Sequence, residues 1–299
     1  MTDEKQTQEQ ADEEMINQGF QELLDSYLAT KHRKKVEIIT KAFNFAKQAH
    51  KGVKRRSGEP YIMHPIAVAK IVCTEIGLGS TSICSALLHD VVEDTDYTVE
   101  DIENLFGPKI AQIVDGLTKI SGGIFGDRAS AQAENFKKLL LTMSDDIRVI
   151  LIKIADRLHN MRTMQYQSPA KQIEKSRETM EIYAPIAHRL GISKIKVELD
   201  DLSLKYLKPD VYYDLVDKVA LRKSERQEFV NNIVKQVKQH MDEASIKAQV
   251  DGRIKHFFSI YKKMVNQDKT IDQIYDLFAV RILVDTVKDC YAALGVIHE

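Results

Sequence analysis

The stretch Ser85-Ala-Leu-Leu-His-Asp-Val-Val-Glu-Asp94 places an imidazole and a carboxylate side by side, at His89 and Asp90, within an otherwise apolar run. Such a run predicts a buried helix. An ionised carboxylate is poorly suited to an apolar core unless a partner balances its charge. Imidazole and carboxylate are both good metal ligands, so the pair predicts a metal site on a helical scaffold.

Two further candidate ligands, His64 and Asp156, lie far from this pair in the sequence. Taken alone, His64 fits the start of a helix and Asp156 fits a local ion pair with Arg157. Together with His89 and Asp90 they supply two imidazoles and two carboxylates. That set suits Mn²⁺, Fe²⁺ or Zn²⁺, with positions open for water or phosphate oxygens. We therefore favour one metal site built from these four side chains.

Two acidic residues follow the His-Asp pair by one helical turn. Residues four apart share a helix face, so Glu93 is expected over His89 and Asp94 over Asp90. There they could take a proton from a reacting water molecule or orient that water. The alternative is a plain acidic helix end, and we favour the catalytic role.

Polar and basic residues surround the same stretches of sequence. Asn160 and Thr163 follow Asp156 on its own helix face and could contact substrate oxygens. A loop at 51–60, marked by two glycines and a proline, precedes His64. Its guanidinium and hydroxyl groups would suit a phosphate or a nucleobase, although basic stretches are often only solvated. The candidates on this loop are Arg55, Arg56 and Ser57.

Composition sets broad limits on the protein class. The 299 residues suffice for about two domains. A net charge of −1 gives no bulk electrostatic argument for nucleic acid or membrane binding, and no apolar run reaches membrane-spanning length. The three cysteines show no pairing pattern, which suits a reducing cytoplasm.

The order of predicted elements indicates a mainly α protein that ends in the start of an α/β domain. The first dozen residues are expected to be disordered. Helices are predicted at about 36–50, 64–76, 80–93, 98–105, 108–120, 129–143, 145–166 and 169–189. Further helices follow from 192 to 244, with breaks near Pro209 and Leu221. Then come a strand at 245–250, a turn at Asp251-Gly252, a helix at 256–266, a strand at 277–284 and a helix at 287–297.

Five strings, in this order, carry a specific family resemblance. They are RSGEPYIMHP (56–65), ALLHDVVEDT (86–95), VDGLTK (114–119), KIADRLHNMRT (153–163) and IYAPIAHRLGI (182–192). The chain resembles the RelA/SpoT homologues, bifunctional alarmone synthetase–hydrolases of the bacterial stringent response, over residues 30–299. Residues 1–30, outside the resemblance, would form an acidic tail and first helix. The resemblance implies an HD-type helical-bundle hydrolase domain at 31–195 and linker helices at 196–225. Residues 226–299 would form a partial, nucleotidyltransferase-like synthetase domain.

The resemblance also implies a reaction. It is Mn²⁺-dependent removal of the 3′-pyrophosphate from guanosine tetra- or pentaphosphate, with GDP or GTP and pyrophosphate as products. His64, His89, Asp90 and Asp156 would hold the metal. Glu93 and Asp94 would activate water, and Arg55 would stack on the guanine. The remaining substrate contacts would be Arg56, Ser57, Asn160 and Thr163.

For the second domain, the resemblance implies a remnant of the synthetase site. Arg253, Lys255, Ser259 and Lys263 would contact ATP, and Asp276 would bind Mg²⁺. Because the domain is expected to be truncated, ATP and Mg²⁺ would serve only the complete synthetase, and no synthesis is expected here. Ribosome or tRNA contacts would need C-terminal domains that this sequence lacks.

Two other functions stay open at this point. One is a related phosphohydrolase that acts on dNTPs, cyclic dinucleotides or a nucleoside monophosphate. The other is an alarmone-sensing module that binds the nucleotide without turning it over.

Overall fold

The computed structural model describes residues 2–32, 34–121, 146–274 and 277–298. The chain divides into two compact units, Met1–Leu199 and Asp200–Glu299. The predicted fold class is confirmed, since helices dominate the described residues and a small sheet lies near the C-terminal end. The helix predicted at 129–143 lies outside the described residues.

Helices are the main secondary structure in the described part of the first unit. They are α1 (Thr2–Ala29), α2 (Val36–Ala49), α3 (Met63–Ile71), α4 (Ser80–Leu87), α5 (Val91–Asp94), α6 (Val99–Phe106), α7 (Pro108–Ser121), α8 (Ile147–Arg162), α9 (Pro169–Glu178) and α10 (Ala184–Arg189). Two π-helical segments, Val72–Ile76 and Thr179–Tyr183, extend α3 and α9. A helix α11 (Ser193–Leu207) includes the boundary between the two units.

The prediction of a disordered start was wrong, because α1 begins at Thr2. Ile16, Leu23 and Tyr27 are buried and anchor its second half. They lie seven and four residues apart, so they share one helix face. Nearer the start, Asp12 forms an ion pair with Lys54 at 2.6 Å. The described residues before Ile16 are mostly exposed, as their polar composition suggests, but the helix continues through them.

The short helix α4 lies at the centre of the first unit. Its residues from Ser82 to Leu87 are all buried, and it packs against α2, α3, α7 and α8. The single helix predicted at 80–93 was wrong at 88–90, where a turn separates α4 from α5. His89 Nδ1 lies 2.7 Å from the carbonyl oxygen of Ala86. In an uninterrupted helix that carbonyl would accept from the Asp90 amide, so the imidazole replaces a backbone donor.

The second unit combines three helices with a two-stranded sheet. The helices beyond α11 are α12 (Pro209–Glu243), α13 (Phe257–Gln267) and α14 (Val287–His298), and the strands are β1 (Ala248–Ile254) and β2 (Phe278–Val284). The strands are antiparallel, with Ala248 opposite Val284 and Ile254 opposite Phe278. One apolar cluster consists of Leu204, Leu215, Val219, Ile260, Ile271, Ile274 and Leu277.

Two boundary predictions in the second unit were wrong. The break near Leu221 is absent, because α12 continues to Glu243 with neither glycine nor proline in its interior. The turn predicted at Asp251-Gly252 lies inside β1, where Gly252 pairs with Val280. A Cβ on Gly252 would lie 2.7 Å from Val230 Cγ1. The glycine is therefore explained by the close approach of α12 to the strand.

Candidate metal centre

Four side chains from three stretches of the first unit converge. His64 Nε2, near the start of α3, lies 3.2 Å from Asp156 Oδ1 on α8 and 3.6 Å from Asp90 Oδ2. His89 Nε2 lies 3.1 Å from Asp90 Oδ2 and 3.9 Å from Asp156 Oδ1. The ligand atoms of His64, His89 and Asp90 all lie within 4.8 Å of one another. The structure thus brings together the four residues singled out from the sequence.

The turn at 88–90 lets two consecutive residues face the same point. On a continuous helix, neighbouring side chains diverge by about 100°. Because α4 ends at Leu87, His89 and Asp90 leave the helical path before α5 begins at Val91. The side chains of His89 and Asp90 can then approach the same partners.

The atoms around His89 fit a metal ion. Its Nδ1 faces the Ala86 carbonyl, so Nδ1 carries a hydrogen, and in the neutral ring, the form that binds a metal, the lone pair is on Nε2. Among the described residues this buried Nε2 has no hydrogen-bond partner, even though Asp90 Oδ2 is close. A buried nitrogen lone pair beside carboxylate oxygens calls for a cation between them. Two imidazoles and two carboxylates suit a divalent transition ion.

Electrostatics at the cluster also favour a cation. Burial opposes ionisation of both acids, yet the adjacent His89 lowers the pKa of Asp90, and Lys153 lowers the pKa of Asp156. Burial likewise opposes protonation of His89, but Asp90 and Asp156 raise its pKa to about 9. Burial dominates at His64 and lowers its pKa. The carboxylates thus stay ionised and attract positive charge.

Asp156 is held from several sides. Lys153 Nζ lies 3.2 Å from Asp156 Oδ2, and Asn160 Nδ2 donates to Asp156 Oδ1 at 2.6 Å. Arg157, the ion-pair partner considered from the sequence, instead pairs with Glu178 at 3.0 Å. Lys153 and Asn160 therefore fix the orientation of the Asp156 carboxylate, which faces the cluster.

Tyr61 connects the cluster with one of the two predicted catalytic acids. Its hydroxyl lies 2.7 Å from Asp90 Oδ2 and 2.9 Å from Asp94 Oδ2, so its single hydrogen is shared between two carboxylates. Burial, and then Asp90, raise the pKa of Tyr61, which keeps its hydrogen. Asp94 is thereby placed beside the cluster. Glu93 and Asp94 are both exposed on α5, and Asp94 is the one with the hydrogen bond to Tyr61.

The loop 51–60 directs one arginine to the cluster's edge. Arg55 donates to Asn160 Oδ1 at 3.1 Å, and its NH1 lies 3.2 Å from His159 Nδ1. Its backbone is fixed by a bond from its amide to the Glu59 carbonyl at 2.9 Å. Arg56 is exposed.

Two predicted substrate contacts are hydroxyl groups. Among the described residues, Ser57 Oγ is buried without a hydrogen-bond partner. Thr163 donates its hydroxyl to the His159 carbonyl at 3.1 Å, so it is engaged with the end of α8.

Sequence reasoning missed His159 and Tyr61. His159 Nδ1 lies 2.8 Å from His64 Nδ1, and burial, followed by His64 and Arg55, lowers the pKa of His159 to about 3. The signal was available for His159, since it follows Asp156 by three residues and so shares its helix face. Tyr61 precedes His64 by three residues, but it belongs to the turn before α3, where no helical spacing applies.

The candidate ATP contacts lie in the second unit. Arg253 is exposed on β1, and the Lys255 amide just after it donates to the Leu277 carbonyl at 2.9 Å. Ser259 and Lys263 lie four residues apart on α13 and so share a face. The predicted Mg²⁺ ligand Asp276 lies outside the described residues.

Comparisons with known proteins cover most of the chain. A family model described as "HD domain" matches residues 42–193, and one described as "Region found in RelA / SpoT proteins" matches residues 252–299. In the described parts of the chain, no helix is both long and apolar enough to cross a membrane.

Curated relatives carry two kinds of name. A "GTP pyrophosphokinase" of Streptomyces coelicolor is 48% identical over 87% of this chain and 30% of its own length. A "Guanosine-3′,5′-bis(diphosphate) 3′-pyrophosphohydrolase" of Vibrio cholerae is 46% identical over 88% of this chain and 37% of its own length. The "Bifunctional (p)ppGpp synthase/hydrolase SpoT" of Escherichia coli K12 is 43% identical over 94% of this chain and 40% of its own length. The chain spans about a third of the length of the relatives it matches.

Proposed function

Because the chain belongs to the HD-domain family and carries the RelA/SpoT region, we propose that it hydrolyses the 3′-pyrophosphate of guanosine tetra- or pentaphosphate. The products are GDP or GTP and pyrophosphate. The observation that carries the proposal is the convergence of His64, His89, Asp90 and Asp156. Relatives named as 3′-pyrophosphohydrolases support the choice of substrate.

In this proposal the same four residues would hold one divalent ion, with Mn²⁺ as the expected metal. When bound, such an ion supplies Lewis acidity toward a phosphate oxygen. The buried lone pair of His89 and the ionised state of the two carboxylates support this assignment. The chain's other residues then bind the nucleotide and move the proton.

Asp94 and Glu93 are the proposed proton acceptors. A water molecule attacks the phosphorus next to the 3′ oxygen and gives its proton to a carboxylate. The 3′ oxygen–phosphorus bond breaks, and the carboxylate returns a proton to the leaving oxygen, which becomes the 3′ hydroxyl of the product. Tyr61 orients Asp94 by its hydrogen bond. Such proton transfer typically contributes about 10²–10⁴-fold to a rate.

Basic and polar groups on the loop 51–60 are the proposed nucleotide contacts. Arg55 stacks on the guanine, with Arg56 and Ser57 beside it. Asn160 and Thr163 complete the set on α8. Guanidinium groups offset negative charge as the P–O bond breaks. The proposed contacts of a synthetase site for ATP and Mg²⁺ are Arg253, Lys255, Ser259, Lys263 and Asp276.

The test is product analysis with the purified chain. Tetraphosphate alarmone is incubated with Mn²⁺, with Mg²⁺ or with excess chelator, and nucleotides and pyrophosphate are quantified. We expect GDP and pyrophosphate with Mn²⁺ and neither with chelator. Faster cleavage of a dNTP or a cyclic dinucleotide would show that this nucleotide, and not the alarmone, is the substrate. Tight alarmone binding without products would favour a sensing module and overturn the hydrolase.

A further inference from the structure

Arg55 holds two consecutive residues of α8 at once. One terminal nitrogen faces His159 Nδ1 at 3.2 Å, and the other donates to Asn160 Oδ1 at 3.1 Å. Each of these residues in turn contacts a different member of the cluster. His159 contacts His64, and Asn160 donates to Asp156. The guanidinium is therefore connected with two candidate metal ligands through one intermediate residue each.

The hydrogen positions along this path follow from donor chemistry. A guanidinium can only donate, so His159 Nδ1, which faces Arg55, must be an acceptor without hydrogen. The contact of 2.8 Å between His159 Nδ1 and His64 Nδ1 then takes its hydrogen from His64. With its hydrogen on Nδ1, neutral His64 keeps a lone pair on Nε2. That atom faces Asp156 Oδ1 and Asp90 Oδ2.

The opposite arrangement would work against metal binding. If His64 carried its hydrogen on Nε2, that hydrogen would satisfy Asp156 directly and leave no lone pair for an ion. Both arrangements are chemically available to an isolated imidazole. Because His159 Nδ1 is an acceptor, it favours the tautomer of His64 with its hydrogen on Nδ1. Arg55 in turn keeps His159 in the accepting form.

We infer that His159 is a positioning residue that sets the tautomer of His64 for metal binding and is itself held in its accepting form by Arg55. A residue of the nucleotide-binding loop would then control metal affinity even when no nucleotide is present. The inference rests on the proposed function for the metal site, but not on turnover.

The first test measures Mn²⁺ affinity by calorimetry on chelator-stripped protein without nucleotide. His159→Leu removes the acceptor, and we expect about a tenfold or greater loss of affinity, as is usual for such outer partners. His159→Asn keeps an acceptor oxygen near the Nδ1 position and should restore most of the affinity. His188→Leu, at an exposed histidine of α10, is the matched control and should bind as the parent does.

Arg55→Met provides a second variant that leaves the His159 ring in place. It should weaken Mn²⁺ binding several-fold, although Arg55 is not a ligand. In a His159→Leu background the same change should add nothing, since both variants remove one path. Equal Mn²⁺ affinity in the parent and in Arg55→Met would show that Arg55 does not hold His159 in its accepting form.

The tautomer itself can be observed by nitrogen NMR of histidine-labelled, metal-free protein. We expect the His64 ring to carry its hydrogen on Nδ1 in the parent and in His159→Asn, and to shift toward Nε2 in His159→Leu. An unchanged tautomer with unchanged Mn²⁺ affinity would overturn the inference and leave the hydrolase proposal standing. A parent protein that binds no Mn²⁺ would overturn both.

Discussion

Asp90 has more neighbours in the candidate centre than its position in the sequence suggests. Its Oδ2 atom lies near His64, His89 and the Tyr61 hydroxyl. Through Tyr61 it is also connected with Asp94. One oxygen therefore belongs both to the proposed metal-binding set and to the path toward the proposed proton acceptor.

Removal of this carboxylate should abolish both properties. We expect Asp90→Ala to lose bound Mn²⁺ and hydrolysis together, as measured by metal content after gel filtration and by pyrophosphate release. Asp96→Ala changes an exposed acid close by in the sequence and should leave both unchanged. Full activity in Asp90→Ala would refute its role as a ligand.

The acids on α5 should behave differently. We expect Glu93→Gln and Asp94→Asn to keep Mn²⁺ but to slow turnover by about 10²–10⁴-fold if that residue is the proton acceptor. Steady-state kinetics and metal analysis on the same preparations separate the two effects. Because Asp94 accepts a hydrogen bond from Tyr61 beside the cluster, the larger effect is expected at Asp94. A larger loss of turnover in Glu93→Gln would identify Glu93 as the main proton acceptor.

At this scale the sequence predicted the residues but not all of their partners. The four converging side chains were identifiable because charged and imidazole groups in apolar runs need an explanation. The roles of His159 and Tyr61 depend on contacts between separate stretches, such as the 2.8 Å contact from His159 to His64. No local spacing rule encodes such a contact.

Among the elements, α4 and the turn after it depart most informatively from prediction. Apolar periodicity continues through Leu88 into Val91, so a pattern rule extends the helix. The structure ends it at Leu87 because the His89 ring takes over the Ala86 carbonyl. Competition between a side chain and the backbone for one acceptor is invisible to hydrophobic spacing. The general helical pattern was predictable, and this interruption was not.

The contact between β1 and α12 gives a test in the second unit. Gly252→Ala places a methyl group 2.7 Å from Val230 Cγ1, and valine is too stiff to move aside easily. We expect a loss of about 1–3 kcal/mol in the free energy of unfolding, the usual cost of overpacking. Urea denaturation followed by circular dichroism measures it.

Gly295 on α14 is the matched control. A Cβ there meets nothing within 4 Å, so Gly295→Ala should be neutral or stabilise by up to about 1 kcal/mol. Equal destabilisation by both substitutions would contradict the packing explanation for Gly252.

On the scale of the whole molecule, the cysteines occupy very different surroundings. Cys73 and Cys84 are buried and Cys290 is exposed. Burial raises the pKa of the Cys84 thiol to about 12 and also raises the pKa of Cys73. Because the thiolate is the reactive form, a raised pKa keeps both buried groups unreactive.

We therefore expect one of the three thiols to react quickly with a disulfide reagent in the native protein. Raising the pH to about 9 should not make the Cys84 thiol reactive, since that pH stays below its pKa of about 12. All three should react in denaturant, and Cys290→Ser should remove the fast phase. A second fast thiol in the folded protein would contradict the burial described above.

The metal should also stabilise the folded chain. Ligand at 100 times its dissociation constant adds about 2.7 kcal/mol to a native state that alone binds it. We expect Mn²⁺ to raise the melting temperature of chelator-treated protein by several degrees, measured by scanning fluorimetry. Asp90→Ala should show no such increase. An equal increase in that variant would place the stabilising ion elsewhere.

The interruption between Leu87 and Val91 has a consequence for protein engineering. A designer who regularised this stretch into one ideal helix would gain backbone hydrogen bonds and better local propensity. The same change would rotate His89 and Asp90 apart by about 100°. The product would be a more stable bundle in which the imidazole and its neighbouring acid could no longer face the same point, where we propose that an ion binds.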